Sequence, residues 1–304
     1  MYMYNWHYLK MGSHSQDLRR LDDTKPTAAI YFGRSRVKDL LTGKGDPQAV
    51  RFCQCGESPN RNNTRMVAMA GTDIWILKPT GSVYEELPIP RKGDILKVMP
   101  VTVLKRAKMI EVPSVLAGMR SNKYLGFGTF RPIDNWGNIK ALHYVLGASI
   151  PKEQMKASNC GPNQLIECLG SIELETLIAK VLEAVGCFVP AHRGGNLIAA
   201  DIFATNLSSQ KIDIDGLVIP AKRRVSIQIK GWSDMAKHSD VDYMFRLPKD
   251  RPLGKGEFSA EWLLRVLETR KNDPDFGRVR AWLFNSLACW LPVEFLKQYG
   301  LSRR

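Results

Sequence analysis

A chain of 304 residues exceeds the usual size of one compact domain, which points to two. With 44% apolar and 24% charged residues the composition excludes disorder as the main state, and no run of about 20 apolar residues offers a membrane span. The formal charge of +14 is uneven: residues 1–170 hold 24 Lys or Arg against 14 Asp or Glu, the remainder 20 against 16. Such a balance favours nucleic acid over an acidic protein as partner, and the first part should meet the polyanion more strongly.

Residues 1–21 mix aromatics, His and charge without an apolar core, so they do not read as a secretory leader. Residues 1–26 are expected as a poorly packed arm. From Thr27 the pattern becomes regular. AAIYFG reads as a strand and SRVKDLLTG as a helix, with Ser35 as N-cap and Gly43 at its end. Residues 51–65 read as a polar loop. Cys53 and Cys55 within it have no second pair or His nearby, so buried thiols in a reducing compartment are favoured over zinc.

MVAMAG and DIWILKP predict two strands separated by a Gly turn, VYEEL a third, and residues 94–112 further short strands interrupted by Pro and Gly. Many short strands with few helices predict a mixed α/β or barrel-like domain. A short helix over residues 112–119 leads into SNKYLGFGTFR, where Arg120, Lys123, Tyr124, Phe130 and Arg131 interleave basic groups with aromatics, a pattern that can hold phosphates and stack bases. A loop and helix over residues 131–147 close the domain. The expected division is 27–155 for a DNA-recognition domain and 156–304 for a second domain.

In the second half Leu174, Ile178, Val181 and Val185 recur at helical spacing, with Ser171 as cap, Glu173 at the positive end and Gly186 as stop. The next stretch reads as strand, Gly-rich loop, strand. Along residues 225–230 Val225, Ile227 and Ile229 face one way while Ser226, Gln228 and Lys230 face the other. A further amphipathic helix is expected over residues 260–269. The last forty residues, rich in Trp, Phe and Leu, are expected to complete the core or form a dimer surface.

This half resembles the PD-(D/E)XK nuclease superfamily in its Holliday-junction resolvase-like and Mrr-like form. Glu175 in IELETLIAKVLEAVGCFV stands eleven residues before Gly186, Asp201 ends the Gly-rich turn of HRGGNLIAADIFAT, and Gln228-Ile229-Lys230 matches the (D/E)xK element with Gln in place of the acid. The resemblance implies a mixed central sheet flanked by helices, Mg²⁺ (or Mn²⁺) on Asp201, Glu175, Gln228 and the Ile229 carbonyl, and Lys230 beside the attacking water. It also makes Arg193 a phosphate contact, with His192, Lys237 and His238 as flanking candidates. The 27 residues between Asp201 and Gln228 exceed a tight hairpin, so KIDIDGLVIPAKRR is an extra strand pair or wide turn, with Asp213 or Asp215 as alternative ligands.

Lys222, Arg223 and Arg224 form a basic patch that steers DNA. The first half is more loosely similar to PUA-like folds of the EVE and YTH kind, which implies Trp75, Tyr84 and Trp136 as aromatic candidates around a flipped modified base. Together these resemblances imply a restriction-type endonuclease, cutting double-stranded DNA as a homodimer without organic cofactor or membrane, cytoplasmic and nucleoid-associated in a prokaryote or virus. A structure-specific repair or junction nuclease and a catalytically weakened nucleic-acid-binding module are the alternatives.

Overall fold

The computed structural model describes residues 4–11, 19–31, 33–86, 95–121, 130–148, 155–156, 159–190, 200–230, 241–247 and 252–302. The chain divides into two compact units, Met1–Ser149 and Ile150–Arg304, so the change falls slightly before residue 155. Both units mix helices and strands. No helix among the described residues is long and apolar enough to cross a membrane.

The N-terminal unit is built on a curled mixed sheet of β1 (Asn5–Leu9), β2 (Thr27–Tyr31), β3 (Thr64–Ala70), β4 (Asp73–Pro79), β5 (Tyr84–Glu86), β6 (Leu96–Lys108) and β7 (Phe130–Pro132). The path runs β2-β6-β4-β3-β1-β7, with β5 also on β6. β1 corrects the expectation of an unpacked arm: it pairs parallel with β3 and antiparallel with β7, and Trp6, Tyr8 and Leu9 are buried.

β6 corrects a second expectation, since it is one thirteen-residue strand and not several. Its first residues pair with β2 and β5, and from Val101 it pairs with β4. Pro100 sits at the changeover, where its missing N–H costs no ladder bond on the β4 side and its carbonyl still accepts from Thr80 N at 2.9 Å.

Among the described residues, three helices lie between β2 and β3. α1 (Val37–Leu41) starts one residue later than expected, with Arg36 rather than Ser35 at its cap. Its first N–H is satisfied from outside: Glu85 of β5 accepts from Val37 N at 2.7 Å and from Arg36 Nη1 at 2.7 Å. The expected polar loop instead contains α2 (Pro47–Cys55) and α3 (Asn60–Asn63). Asp46 accepts from Gln48 N and Ala49 N, and Pro47 takes the first turn, where no N–H is needed. α2 turns Phe52, Cys53 and Cys55 into the core. After β6 come α4 (Val115–Ser121) and, past β7, α5 (Trp136–Val145), whose Asn135 cap accepts from Asn138 N.

The C-terminal unit opens with α6 (Pro162–Ile166) and α7 (Ser171–Ala184). A five-stranded sheet follows, ordered β14-β13-β12-β9-β8, from β8 (Cys187–Phe188), β9 (Ile202–Asn206), β12 (Arg224–Lys230), β13 (Tyr243–Arg246) and β14 (Glu257–Phe258). β8, β9 and β12 are antiparallel neighbours, while β12, β13 and β14 run parallel. α8 (Ala260–Thr269), α9 (Pro274–Ala288) and α10 (Val293–Lys297) complete the unit. α9 packs on α7, and Phe276, Leu283, Phe284, Leu287, Trp290 and Phe295 are buried, so the aromatic-rich end of the chain fills the core.

The long interval between β9 and β12 is a hairpin of β10 (Ile212–Ile214) and β11 (Leu217–Ile219), turned by Asp215 and Gly216, both at positive φ. Buried Asn206 anchors its base: the amide nitrogen donates to Gln210 O, Ile219 O and Pro220 O, and the amide oxygen accepts from Ser208. Trp262 of α8 holds the tip by donating Nε1 to Ile214 O and Asp215 O, both at 3.2 Å.

The parallel half of the sheet contains a buried ion pair. Arg246 Nε lies 2.8 Å from Glu257 Oε2, with the side chains 2% and 6% exposed, while Arg246 Nη2 donates to Pro252 O and Gly254 N donates to Glu257. Removing one partner leaves a buried charge uncompensated. Arg246→Met is therefore expected to lower unfolding free energy by about 3–5 kcal/mol in urea titrations, far more than a surface substitution such as Arg278→Met.

Candidate active site

Glu175 lies in the second turn of α7. Leu174, Leu177, Ile178 and Val181 bury one stripe of that helix, which packs against β8 and β9, and Glu175 remains half-buried beside the stripe. The helix start differs from expectation. Gly170, not Ser171, occupies the cap, and Glu173 reaches back to accept from Gly170 N at 2.9 Å. The stop is as expected, with Gly186 at φ 88°.

Asp201 stands immediately before β9. Its N–H donates to Ile227 O at 3.0 Å, closing the antiparallel ladder with β12. β12 continues for three residues past Ile227, and Asp201 Oδ2 accepts from Ile229 N at 2.6 Å. A carboxylate therefore takes the N–H that would otherwise face the end of β9. Asp201 is thereby held next to Ile229, between Gln228 and Lys230. Asp201 and Gln228 each keep 9% of their surface exposed, which leaves them reachable but poorly hydrated.

Glu175 and Lys230 complete the group through charge. Burial, reinforced by the nearby Asp201 carboxylate and opposed by Lys230, pushes the Glu175 carboxyl up to about 7. The structure thus brings Glu175, Asp201, Ile229 and Lys230 into one locality, with Gln228 directly before Ile229 on the strand. Among the described residues no three His, Cys, Asp or Glu side chains converge to hold a metal.

The remaining expected residues are dispersed. Arg223 and Arg224 are exposed at the start of β12, where Arg224 lies 4.0 Å above the Phe203 ring. Lys222, at φ 56°, donates Nζ to Leu207 O, so its ammonium is tied to the turn. The alternative ligands serve the hairpin: Asp213 accepts from Gly216 N, and Asp215 pairs with Arg265 at 2.6 Å. Arg193, His192, Lys237 and His238 lie outside the described residues, as do Lys123 and Tyr124. Arg120 falls in α4, with its side chain also outside them.

Phe130 requires a correction. It is fully buried, stacked on His7 with ring centroids 4.7 Å apart and edge-on to Phe52 at 5.2 Å, so both ring faces serve the core and not a base. Its neighbour Arg131 is half-buried on β7. Trp75 and Trp136 are likewise buried, while Tyr84 is exposed and hydrogen-bonded to Glu86. Burial pushes the Cys53 thiol up to about 12 and that of Cys55 to about 11, which keeps both protonated.

Two residues beside the site were not anticipated. Asp242 accepts from Ser226 N at 2.8 Å and from Ser226 Oγ at 2.9 Å, occupying β12's other edge as Asp201 occupies the first. The alternation that placed Ser226 on the face of Gln228 was the available signal. Arg246 is paired in register with Lys230, and the one cation within the apolar stretch YMFR was its signal.

Raising the Glu175 carboxyl from 4.5 to about 7 means that folding favours its protonated form. Its contribution to stability is full below pH 4.5, declines as pH rises and is gone above 7. In chelator, Glu175→Gln should melt with the wild type near pH 4.5 and above it at pH 7.5, by about 1–2 kcal/mol once solvent screening is allowed for. Parallel pH dependences would show that neither burial nor Asp201 raises the Glu175 carboxyl. No protein-family model, curated protein or solved structure matches the chain, so the reading of this site rests on its own residues.

Proposed function

We propose that this protein is a metal-dependent DNA endonuclease whose C-terminal unit hydrolyses phosphodiester bonds at Glu175, Asp201, Gln228 and Lys230. The N-terminal unit selects the site, as in a restriction enzyme. The reading is carried by one observation: the Asp201 carboxylate is docked on Ile229 N, between Gln228 and Lys230, and interacts electrostatically with Glu175.

The donors are all oxygen: two carboxylates, the Gln228 amide and the Ile229 carbonyl. That set fits a hard divalent cation such as Mg²⁺, with Mn²⁺ as substitute. Such an ion, when bound, neutralises charge on the scissile phosphate and lowers the pKa of water. Asp201 commits Oδ2 to the strand and presents Oδ1. The ammonium of Lys230 offsets charge on a phosphate oxygen and orients the attacking water. Glu175 would hold the ion directly or through a water. Gln228 in place of an acid removes one negative charge, which favours one firmly held ion over two.

One site per chain makes a homodimer the economical way to cut both strands. A repair or junction nuclease would use the same chemistry with DNA shape as the selector. A second reading, a nucleic-acid-binding module without turnover, is favoured by the presence of only two carboxylates in the described site.

Cleavage of paired duplexes, identical except for base modification, separates these readings when run with Mg²⁺ or Mn²⁺ and with chelator. Asp201→Ala and Lys230→Ala are expected to lower single-turnover rates by about a hundredfold or more while changing duplex affinity only slightly. Mn²⁺ should also raise the melting temperature of the wild type at pH 7.5 but not that of Asp201→Ala. Full activity in either variant would sink the assignment. Tight binding with no cutting by the wild type would establish the binding module.

A further inference from the structure

The N-terminal unit contains a polar cavity of about 430 Å³ lined by Ser58, Arg61, Asn62, Lys78, Pro79 and Thr80. Arg61 and Asn62 come from α3, and Lys78 and Pro79 from the end of β4. The lining offers two cations, two hydroxyls and a carboxamide, and no carboxylate. Arg61 Nη1 donates to Thr80 O at 3.1 Å, which fixes the guanidinium against the wall and leaves its other N–H groups to a ligand. Among the described residues neither Arg61 nor Lys78 has an acidic partner, although both are half-buried.

Two partly desolvated cations sharing one cavity repel each other, and an anion between them relieves that cost. Among the described residues of the lining Pro79 carries the only ring, none of them offers an aromatic face on which a base can stack, and their chemistry is that of a phosphate seat. We propose that this cavity holds a backbone phosphodiester of bound DNA, a positioning contact that carries no sequence information. The inference rests on the nucleic-acid part of the reading above and does not depend on catalysis.

The test is equilibrium binding of a short duplex by the full chain in chelator, between about 50 and 200 mM salt. Arg61→Gln/Lys78→Gln is compared with the wild type and with the charge-retaining Arg61→Lys/Lys78→Arg. Neutralisation should weaken binding about tenfold at low salt and make the slope of log K against log salt shallower by about 1, whereas the charge-retaining pair keeps most of both. Where the double variant melts below the wild type, Lys78→Gln alone gives the same readout.

Equal slopes in wild type and neutral variant overturn the inference, even where the wild type cuts DNA. A slope difference in a chain that never cuts upholds the inference and removes only the nuclease reading, and a wild type that binds no duplex overturns both. Inorganic phosphate and duplexes with and without 5′ phosphates identify the source. A melting shift with inorganic phosphate that the neutral variant lacks, together with unchanged duplex binding, marks a free-phosphate site and overturns the assignment to the DNA backbone.

Discussion

The hydrogen bond from Ile229 N to Asp201 Oδ2 joins the sheet to the candidate chemistry. β12 is longer than the strands on either side of it, and its extra peptide groups need partners that no backbone supplies. Asp201 meets that need before the start of β9, and Asp242 meets it before the start of β13. Each carboxylate is immobilised by strand geometry and not by packing alone, so the position of Asp201 is as well determined as the ladder itself. A ligand set by the register of a sheet loses little entropy when it binds.

Neighbouring cations on paired strands illustrate two ways of treating buried charge. Arg246 is enclosed, bonded to Glu257 and to a backbone carbonyl, and so serves the fold. Lys230, opposite it in register, remains partly open to solvent near two carboxylates, one of which is reluctant to ionise. Stability is satisfied at the first position and withheld at the second, the pattern expected where a site must interact with something outside the chain. The hairpin between β9 and β12 is anchored by Asn206 at its base and Trp262 at its tip, and its two aspartates serve the turn.

Much of the C-terminal unit was legible because its signals are local and periodic. The stripe of α7, the Gly186 stop and the alternation of β12 as far as Ile227 are set by near neighbours in sequence, whereas Gln228 is buried and Ile229 is not. What escaped depends on distant partners. Glu85 starts α1 from 48 residues further along the chain, and Pro100 fits inside β6 only because the strand exchanges partners there. β1 carries mixed aromatics whose burial requires strands completed much later. α2 was legible in Asp46-Pro47, a capping signal outweighed by the polarity of the residues beyond it. Phe130 misled because an aromatic beside glycines suits a core as well as a base, and composition cannot tell the two apart.

The placement of β1 also orders events in time. β1 lies between β3, which begins at Thr64, and β7, which ends at Pro132. It therefore waits for more than a hundred further residues before its second edge is covered, and until then Trp6, Tyr8 and Leu9 belong to a nascent chain without a finished core. A second edge supplied from so far along the chain makes the closing of this sheet a non-local event.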